Sequence, residues 1–226
     1  MSQAIRTIRL ELPYHLGGVN CYLIVTDTGH VLIDTGPSNR RAALEQELDR
    51  AGCRPGDLKL IILTHGDFDH TGNAAYLHNK YGAPLAIHPA DAGVLESGDM
   101  FWNRKTGNAF LRKLSPALFG FGKAERCQPD ELLDDGSDLS DHGWNAHVLD
   151  LPGHSLGSIG ILTAGGELFC GDLLTNIKRP ALNSIIDNLS AAQRSVARLR
   201  ELKISTVYPG HGEPFAFESF WAAEKA

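Results

Sequence analysis

The segment His65-Gly66-Asp67-Phe68-Asp69-His70 constrains this chain more than any other, because it follows directly on the apolar run Leu58-Lys59-Leu60-Ile61-Ile62-Leu63 and Thr64. A short run of branched apolar residues before glycine reads as a buried strand. Four side chains able to hold a metal therefore stand within six residues at a strand end. Two carboxylates crowded against two imidazoles are electrostatically wasteful without a cation to bind, and mixed nitrogen and oxygen donors suit zinc, manganese or iron. The competing reading of the same residues is an exposed acidic strand-to-helix loop.

Three later segments repeat the arrangement of an apolar stretch followed by a His or Asp bracketed by glycine or proline. They are Leu151-Pro152-Gly153-His154-Ser155, Phe169-Cys170-Gly171-Asp172 and Tyr208-Pro209-Gly210-His211-Gly212. Glycine beside each candidate lets the backbone turn tightly, so the side chain projects over the sheet edge. Alone, a His after Pro-Gly reads as a solvated turn residue, and Asp172 as the cap of a following helix. Taken in order with the first cluster, they complete a candidate set of seven: His65, Asp67, Asp69, His70, His154, Asp172 and His211.

With these residues in place, the sequence resembles the metallo-β-lactamase superfamily from about Asn20 to Gly212. The resemblance includes Val31-Leu32-Ile33-Asp34-Thr35-Gly36, a family landmark whose Asp supports the metal-bearing loops. It implies a four-layer αβ/βα sandwich with two divalent ions between the sheet edges, zinc foremost and manganese or iron as alternatives. Carried over by position, it implies that His65, Asp67 and His154 hold one ion, that Asp69, His70 and His211 hold the other, and that Asp172 bridges them. The usual motif is His-x-His-x-Asp-His, and this chain departs from it with Asp67 in place of the second His. A carboxylate still coordinates, but three carboxylates and a bridging hydroxide would leave two divalent ions neutral, a weaker Lewis acid than the usual centre. The resemblance further implies hydrolysis by a metal-bridging hydroxide that Asp69 orients. The substrate it implies is a carboxylic ester, lactone or thioester, in the manner of glyoxalase II or a lactonase, ahead of a β-lactam.

Two rival classes stand beside this reading. One is an iron redox protein of the same fold, diiron or mononuclear, although the diiron relatives with a carboxylate at that motif position resemble fusions to a flavin domain. The other is a non-catalytic ligand sensor, against which the presence of all seven ligand-type residues argues.

The 226 residues suit one domain with a sizeable core. A formal charge of −6 with no dense basic run argues against a nucleic-acid surface. Neither a signal segment nor a membrane-length apolar stretch is read, so the expected compartment is the cytoplasm. Cys21, Cys53, Cys127 and Cys170 are scattered, as reduced thiols buried as small hydrophobes would be, and Cys170, on the strand face of Asp172, has a supporting or alternative ligand role as its competing reading.

Patterning predicts strands at Ile5 to Leu12, Asn20 to Thr26, His30 to Asp34, Leu58 to Leu63, Pro84 to His88, Ala146 to Leu151, Ser158 to Leu162, Glu167 to Cys170 and Thr206 to Tyr208. Helices are predicted from Ser38 to about Ala51, Thr71 to Lys80, Asp91 to Leu95 and Ser190 to Leu202. Residues 97–126 interrupt this rhythm with Met100, Phe101, Trp102, Phe110, Leu111, Leu114, Leu118, Phe119 and Phe121. This aromatic-rich insertion suits a lid or pocket wall for a small-molecule substrate with an apolar portion, and equally a helical hairpin covering the sandwich or a homodimer contact. His15, His30, His78, His88, His142 and His147 lack the glycine context and read as surface or core residues. Lys178 and Arg179 stand near enough to Asp172 in sequence to grip a substrate carboxylate, although a solvated loop is the plainer reading.

Overall fold

The structure is a computed structural model in which residues 4–12, 17–104 and 125–224 are described. The first sheet contains β1 (Ile5–Glu11), β2 (Gly18–Val25), β3 (His30–Ile33), β4 (Leu58–Ile62), β5 (Leu85–Ile87) and β6 (Glu131–Leu132), hydrogen-bonded in that order. Strands β1 to β3 are antiparallel neighbours, and β3 to β6 run parallel. The later strands are β7 (Ala146–Asp150), β8 (Ile159–Thr163), β9 (Glu167–Gly171), β10 (Leu174–Thr175), β11 (Ala181–Leu182), β12 (Thr206–Pro209) and β13 (Phe215–Ala216). Of these, β10 and β11 form a small ribbon, and the others make a second sheet in the order β13-β12-β9-β8-β7. The helices are α1 (Arg41–Arg50), α2 (Phe68–Thr71), α3 (Ala74–Tyr81), α4 (Pro89–Ser97), α5 (Leu189–Leu199) and α6 (Phe217–Glu224).

Four layers follow from the two-residue period of the strands. On β4, Leu60 and Ile62 face the second sheet and pack with Tyr22, Ile24 and Ile33 against Trp144, Val148, Ile161 and Phe169. Ile61 and Leu63 point the other way, onto Leu44 and Leu48 of α1 and Leu77 of α3. The outer face of the second sheet buries Leu149 and Leu168 under Ala192, Val196 and Leu199 of α5 and Phe220 of α6. A strand buried on both faces must be apolar throughout, which is why Leu58 to Leu63 reads as a continuous run. This is the expected αβ/βα sandwich.

Several boundaries differ from the sequence expectation. The helix expected from Thr71 starts at Phe68 and breaks between α2 and α3. A Cβ on Gly72 would lie 2.5 Å from Ser38 N, and Asn73 Nδ2 donates to Thr35 O at 2.8 Å and Pro37 O at 3.0 Å, so the break docks against the β3–α1 connection. The short helix expected at Asp91 begins at Pro89, where His88 Nδ1 accepts from Ala90 N at 3.1 Å and proline takes the first helical turn. Strands β6, β10, β11 and β13 are two residues each, too short to show a period, and neither they nor α6 were expected. Most of the aromatic insertion, together with His15, lies outside the described residues. At the described start of that insertion, Met100 and Phe101 pack on Phe68 and Val94. Among the described residues no helix is long and apolar enough to cross a membrane.

Candidate metal centre

Each expected ligand lies at or just past the C-terminal end of a strand. His65 and Asp67 follow β4, Asp69 and His70 occupy the single turn α2, His154 follows β7, Asp172 follows β9, and His211 follows β12. Hydrogen bonds lace these loops across the two sheets: Ile159 N donates to Thr64 O at 2.9 Å, and Asn20 N donates to Gly210 O at 2.8 Å. The buried Asn20 side chain and the Tyr22 hydroxyl both donate to Pro209 O, at 3.0 and 2.6 Å. The loops are thereby held by the strands that carry them.

All four histidines are oriented from outside. His65 Nδ1 lies 3.0 Å from Thr64 Oγ1, His70 Nδ1 2.8 Å from Asp34 Oδ2, His154 Nδ1 2.7 Å from Ile185 O, and His211 Nδ1 2.8 Å from Gly18 O. A proton donated outward from Nδ1 leaves the Nε2 lone pair facing inward, the arrangement of metal-binding imidazoles. Asp34 governs two of them, since it also accepts from Thr64 N and from Thr64 Oγ1, both at 2.8 Å. This is the supporting role expected of Asp34.

Inside the ring of histidines, Asp172 Oδ1 is 3.4 Å from His70 Nε2, while its Oδ2 is 3.3 Å from His211 Nε2 and 3.9 Å from His154 Nε2. Asp69 Oδ2 lies 3.5 Å from His211 Nε2 and 4.0 Å from His70 Nε2. Donors that share one tetrahedral ion at about 2.0–2.2 Å stand roughly 3.3–3.6 Å from each other. Two groups have every donor within 4.8 Å of the rest, His65 with His154 and Asp172, and Asp69 with His70 and His211. His65 Nε2, His70 Nε2 and Asp172 Oδ1 are buried without a hydrogen-bond partner. Buried polar atoms are rarely left so, and the donor set fits two divalent ions.

Asp67 stands at the edge of the first group. Its Oδ2 is 3.0 Å from His154 Nε2 and 3.8 Å from His65 Nε2, while its Oδ1 forms an ion pair with Arg104 Nη2 at 2.7 Å. The expectation of a neutral centre omitted this guanidinium, which enters from a segment notable in sequence only for its aromatics. Lys178 and Arg179, the cations singled out from sequence, are exposed on the loop between β10 and β11. Arg104 is 9% exposed, and its Nε also meets Asp187 at 3.0 Å.

A second residue missed in the sequence is Asp91, on α4. Fully buried, its carboxylate accepts from Gly66 N at 3.1 Å, Ser155 Oγ at 2.7 Å, Gly157 N at 3.0 Å and Asn103 Nδ2 at 2.8 Å. It thus binds the His65 loop to the His154 loop. No local pattern announces this, since an Asp in the first turn of a helix reads as a dipole partner. Cys170 does not join the centre: its Sγ contacts Gly171 O at 3.6 Å and Leu174 O at 3.8 Å, and burial pushes the thiol up to about 12.

The charges of the metal-free cluster are strongly perturbed. Burial opposes protonation of His70, yet Asp34, Asp172 and Asp69 outweigh it and raise the imidazole to about 10. Burial likewise opposes protonation of His154 and His211, but Asp67 carries the first and Asp172 the second to about 9. Burial, with His70 and His154 adding to it, lowers His65 well below its ordinary value. Burial would raise the carboxyls of Asp67 and Asp172, but His154 with Arg104, and His211 with His70, hold them below the usual range. At Asp69 burial prevails and the carboxyl is raised. Three imidazoles that hold protons at neutral pH must release them to bind a cation. Metal affinity is therefore expected to rise between about pH 7 and pH 9, with more than one proton released. Calorimetric titration in buffers of different ionisation enthalpy measures this, and a pH-independent affinity would contradict it.

Gly210 is required for the close approach of two loops. A Cβ there would overlap Asp172 Oδ1 and come within 2.8 Å of His70 Cε1. Gly210→Ala is expected to keep the fold but displace Asp172 and lose bound metal, which far-UV circular dichroism and elemental analysis would register together. Full metal retention in this variant would contradict the placement of Asp172.

A four-layer sandwich with seven imidazole and carboxylate donors converging at the strand ends defines a metal-binding protein of the αβ/βα class. The chain belongs to the metallo-β-lactamase superfamily, whose family model matches residues 15–211. It is 28% identical over 245 residues to the probable metallo-hydrolase YqjP of Bacillus subtilis, covering 94% of this chain and 73% of that one. It is also 28% identical over 214 residues to the acyl-coenzyme A thioesterase MBLAC2 of Bos taurus, covering 86% of this chain and 71% of that one. Among solved structures, the di-iron-bound form of TTHA1623 superposes with a TM-score of 0.70 at 28% identity over 96% of each chain.

Proposed function

We propose that the protein is a dinuclear metal-dependent hydrolase acting on a thioester with an apolar acyl portion, with carboxylic esters and lactones as neighbouring substrates. The observation that carries this reading is the convergence of four inward-facing Nε2 atoms on the carboxylates of Asp69 and Asp172 in a buried cluster. In this reading His65, Asp67 and His154 hold one ion, Asp69, His70 and His211 hold the second, and Asp172 serves both. Two divalent ions, when bound, acidify a water and polarise the substrate carbonyl. Asp69 is suited to orient that water, because its Oδ2 lies inside the cluster, 3.5 Å from His211 Nε2. It would accept the proton of the attacking water as the carbon–oxygen bond forms and pass it to the leaving thiolate as the carbon–sulfur bond breaks.

Support for an apolar acyl group comes from what the described residues leave exposed. Of the seven large apolar side chains exposed there, Leu156, Ile177 and Ile185 stand beside the site loops. Leu156 is two residues past His154, Ile185 supplies the carbonyl that holds His154 Nδ1, and Asn176, beside Ile177, donates from its backbone N–H to His211 O at 3.0 Å. Such a rim offers apolar area to a substrate chain. The named activity of MBLAC2 points the same way.

The test is a panel of acyl thioesters of increasing length, a carboxylic ester, a lactone, a phosphodiester and a β-lactam, assayed with metal-replete protein. The expected result is the highest kcat/KM for thioesters, rising with acyl length, abolished by chelation and restored by metal. Preference for the phosphodiester or the β-lactam would overturn it. Elemental analysis of the same preparation is expected to give two ions per chain, with zinc foremost. Iron with visible absorbance and no hydrolysis would favour the redox alternative that the di-iron relative keeps in view.

A further inference from the structure

We infer that Arg104 is a built-in cation of the centre, paired with Asp67 so that the His65–Asp67–His154 position binds metal more weakly than its neighbour. This rests on the proposed reading of the cluster as a two-ion site. The guanidinium is half-buried, with Nη2 2.7 Å from Asp67 Oδ1 and 3.4 Å from His154 Nε2, and Nε 3.0 Å from Asp187 Oδ2. Arginine keeps its charge under any condition in which the protein is folded. Among the described residues, no lysine or arginine pairs with Asp69 or Asp172, whose ion-pair partners are histidines. Among the described residues, the positive charge is therefore placed against one half of the cluster.

Two consequences follow from the division of Asp67 between its oxygens. Oδ2 is hydrogen-bonded to His154 Nε2 at 3.0 Å and lies 3.8 Å from His65 Nε2, on the side a shared ion would occupy, while Oδ1 is ion-paired with Arg104 Nη2 at 2.7 Å. Together Asp67 and Arg104 carry no net charge, as a neutral imidazole at that motif position would, so the carboxylate does not make the whole centre more negative. A fixed cation beside the ligand atoms nevertheless repels an ion that binds there and draws electron density from the carboxylate. The second group feels this less, because the guanidinium's partners in the cluster, Asp67 and His154, both belong to the first side. Asp187 tunes the effect by sharing Arg104: without it, the guanidinium would bear on Asp67 alone.

Zinc titration of the metal-free protein, followed by calorimetry and by competition with a chromophoric chelator, tests this without recourse to activity. Wild type is expected to bind two equivalents with unequal affinities. In Arg104→Gln the tighter constant should stay and the weaker one should tighten by about 10- to 100-fold, the range over which partners of metal ligands act. Arg104→Lys should retain the wild-type split. Asp187→Asn should shift the weaker constant in the opposite direction, and it stands as the second test if Arg104→Gln fails to fold. Loss of the weaker equivalent in Arg104→Gln would mean that arginine merely props Asp67 in place, and unchanged constants in both variants would mean that its charge is irrelevant. Either result overturns the inference while leaving a two-ion centre intact. Fewer than two equivalents in wild type and in every variant would overturn the two-ion reading, and this inference with it.

Discussion

Asp172→Ala is expected to remove about one ion per chain and to lower hydrolysis on the order of a thousandfold, the loss that follows when several kcal/mol of transition-state charge stabilisation are withdrawn. The reason is position. Oδ1 lies 3.4 Å from His70 Nε2, and Oδ2 lies 3.3 Å from His211 Nε2 and 3.9 Å from His154 Nε2, so among the described carboxylates this one reaches donors of both groups. Asp172→Asn, which keeps the volume but not the charge, should retain more metal than alanine and still lose most of the rate. Asp67→Ala provides the contrast, since Asp67 touches only the His65–His154 side. Elemental analysis and kcat/KM of the three variants decide the matter. Equal metal retention in Asp172→Ala and Asp67→Ala would contradict a bridging role.

Asp34→Asn is expected to lower metal affinity by roughly 10- to 100-fold and to destabilise the fold, although Asp34 touches no inward-facing ligand atom. Its carboxylate accepts from Thr64 N, Thr64 Oγ1 and His70 Nδ1, each at 2.8 Å, and through Thr64 it also orients His65. An amide offers one acceptor oxygen and an NH2 group, so at least one buried donor would face another donor. With hydrogen bonds to a charged group worth about 1.5–3 kcal/mol each, a loss of about 3 kcal/mol corresponds to roughly 6–12 °C in Tm for a domain of this size. Asparagine is the informative substitution because Asp34 sits at φ 59°, a left-handed backbone conformation that asparagine tolerates and alanine does not. Thermal unfolding and zinc titration measure the two effects. A variant with wild-type zinc affinity would show that the histidines are oriented without Asp34.

What the sequence determined by itself was local. Apolar runs with a period of two, ended by glycine, specify strands buried between layers, and a His or Asp one or two residues past such an end must project over the sheet edge. That made sheets covered by helices and candidate ligands at the strand ends legible in the residues themselves, while the αβ/βα sandwich and the sharing of His65, Asp67, Asp69, His70, His154, Asp172 and His211 between two ions came from the family resemblance. The strands too short to carry a period, β6, β10, β11 and β13, were not legible. The tertiary structure alone decided who partners whom across the loops. Asp91 reads locally as an ordinary first-turn helix residue, and only packing brings its carboxylate to Gly66, Ser155 and Gly157. The carbonyls of Gly18 and Ile185, which fix the tautomers of His211 and His154, are main-chain groups that every residue possesses and no motif can mark. Arg104 was hidden for the same reason: a guanidinium finds its carboxylates by distance in space, and the 37 positions that separate it from Asp67 leave no periodic trace.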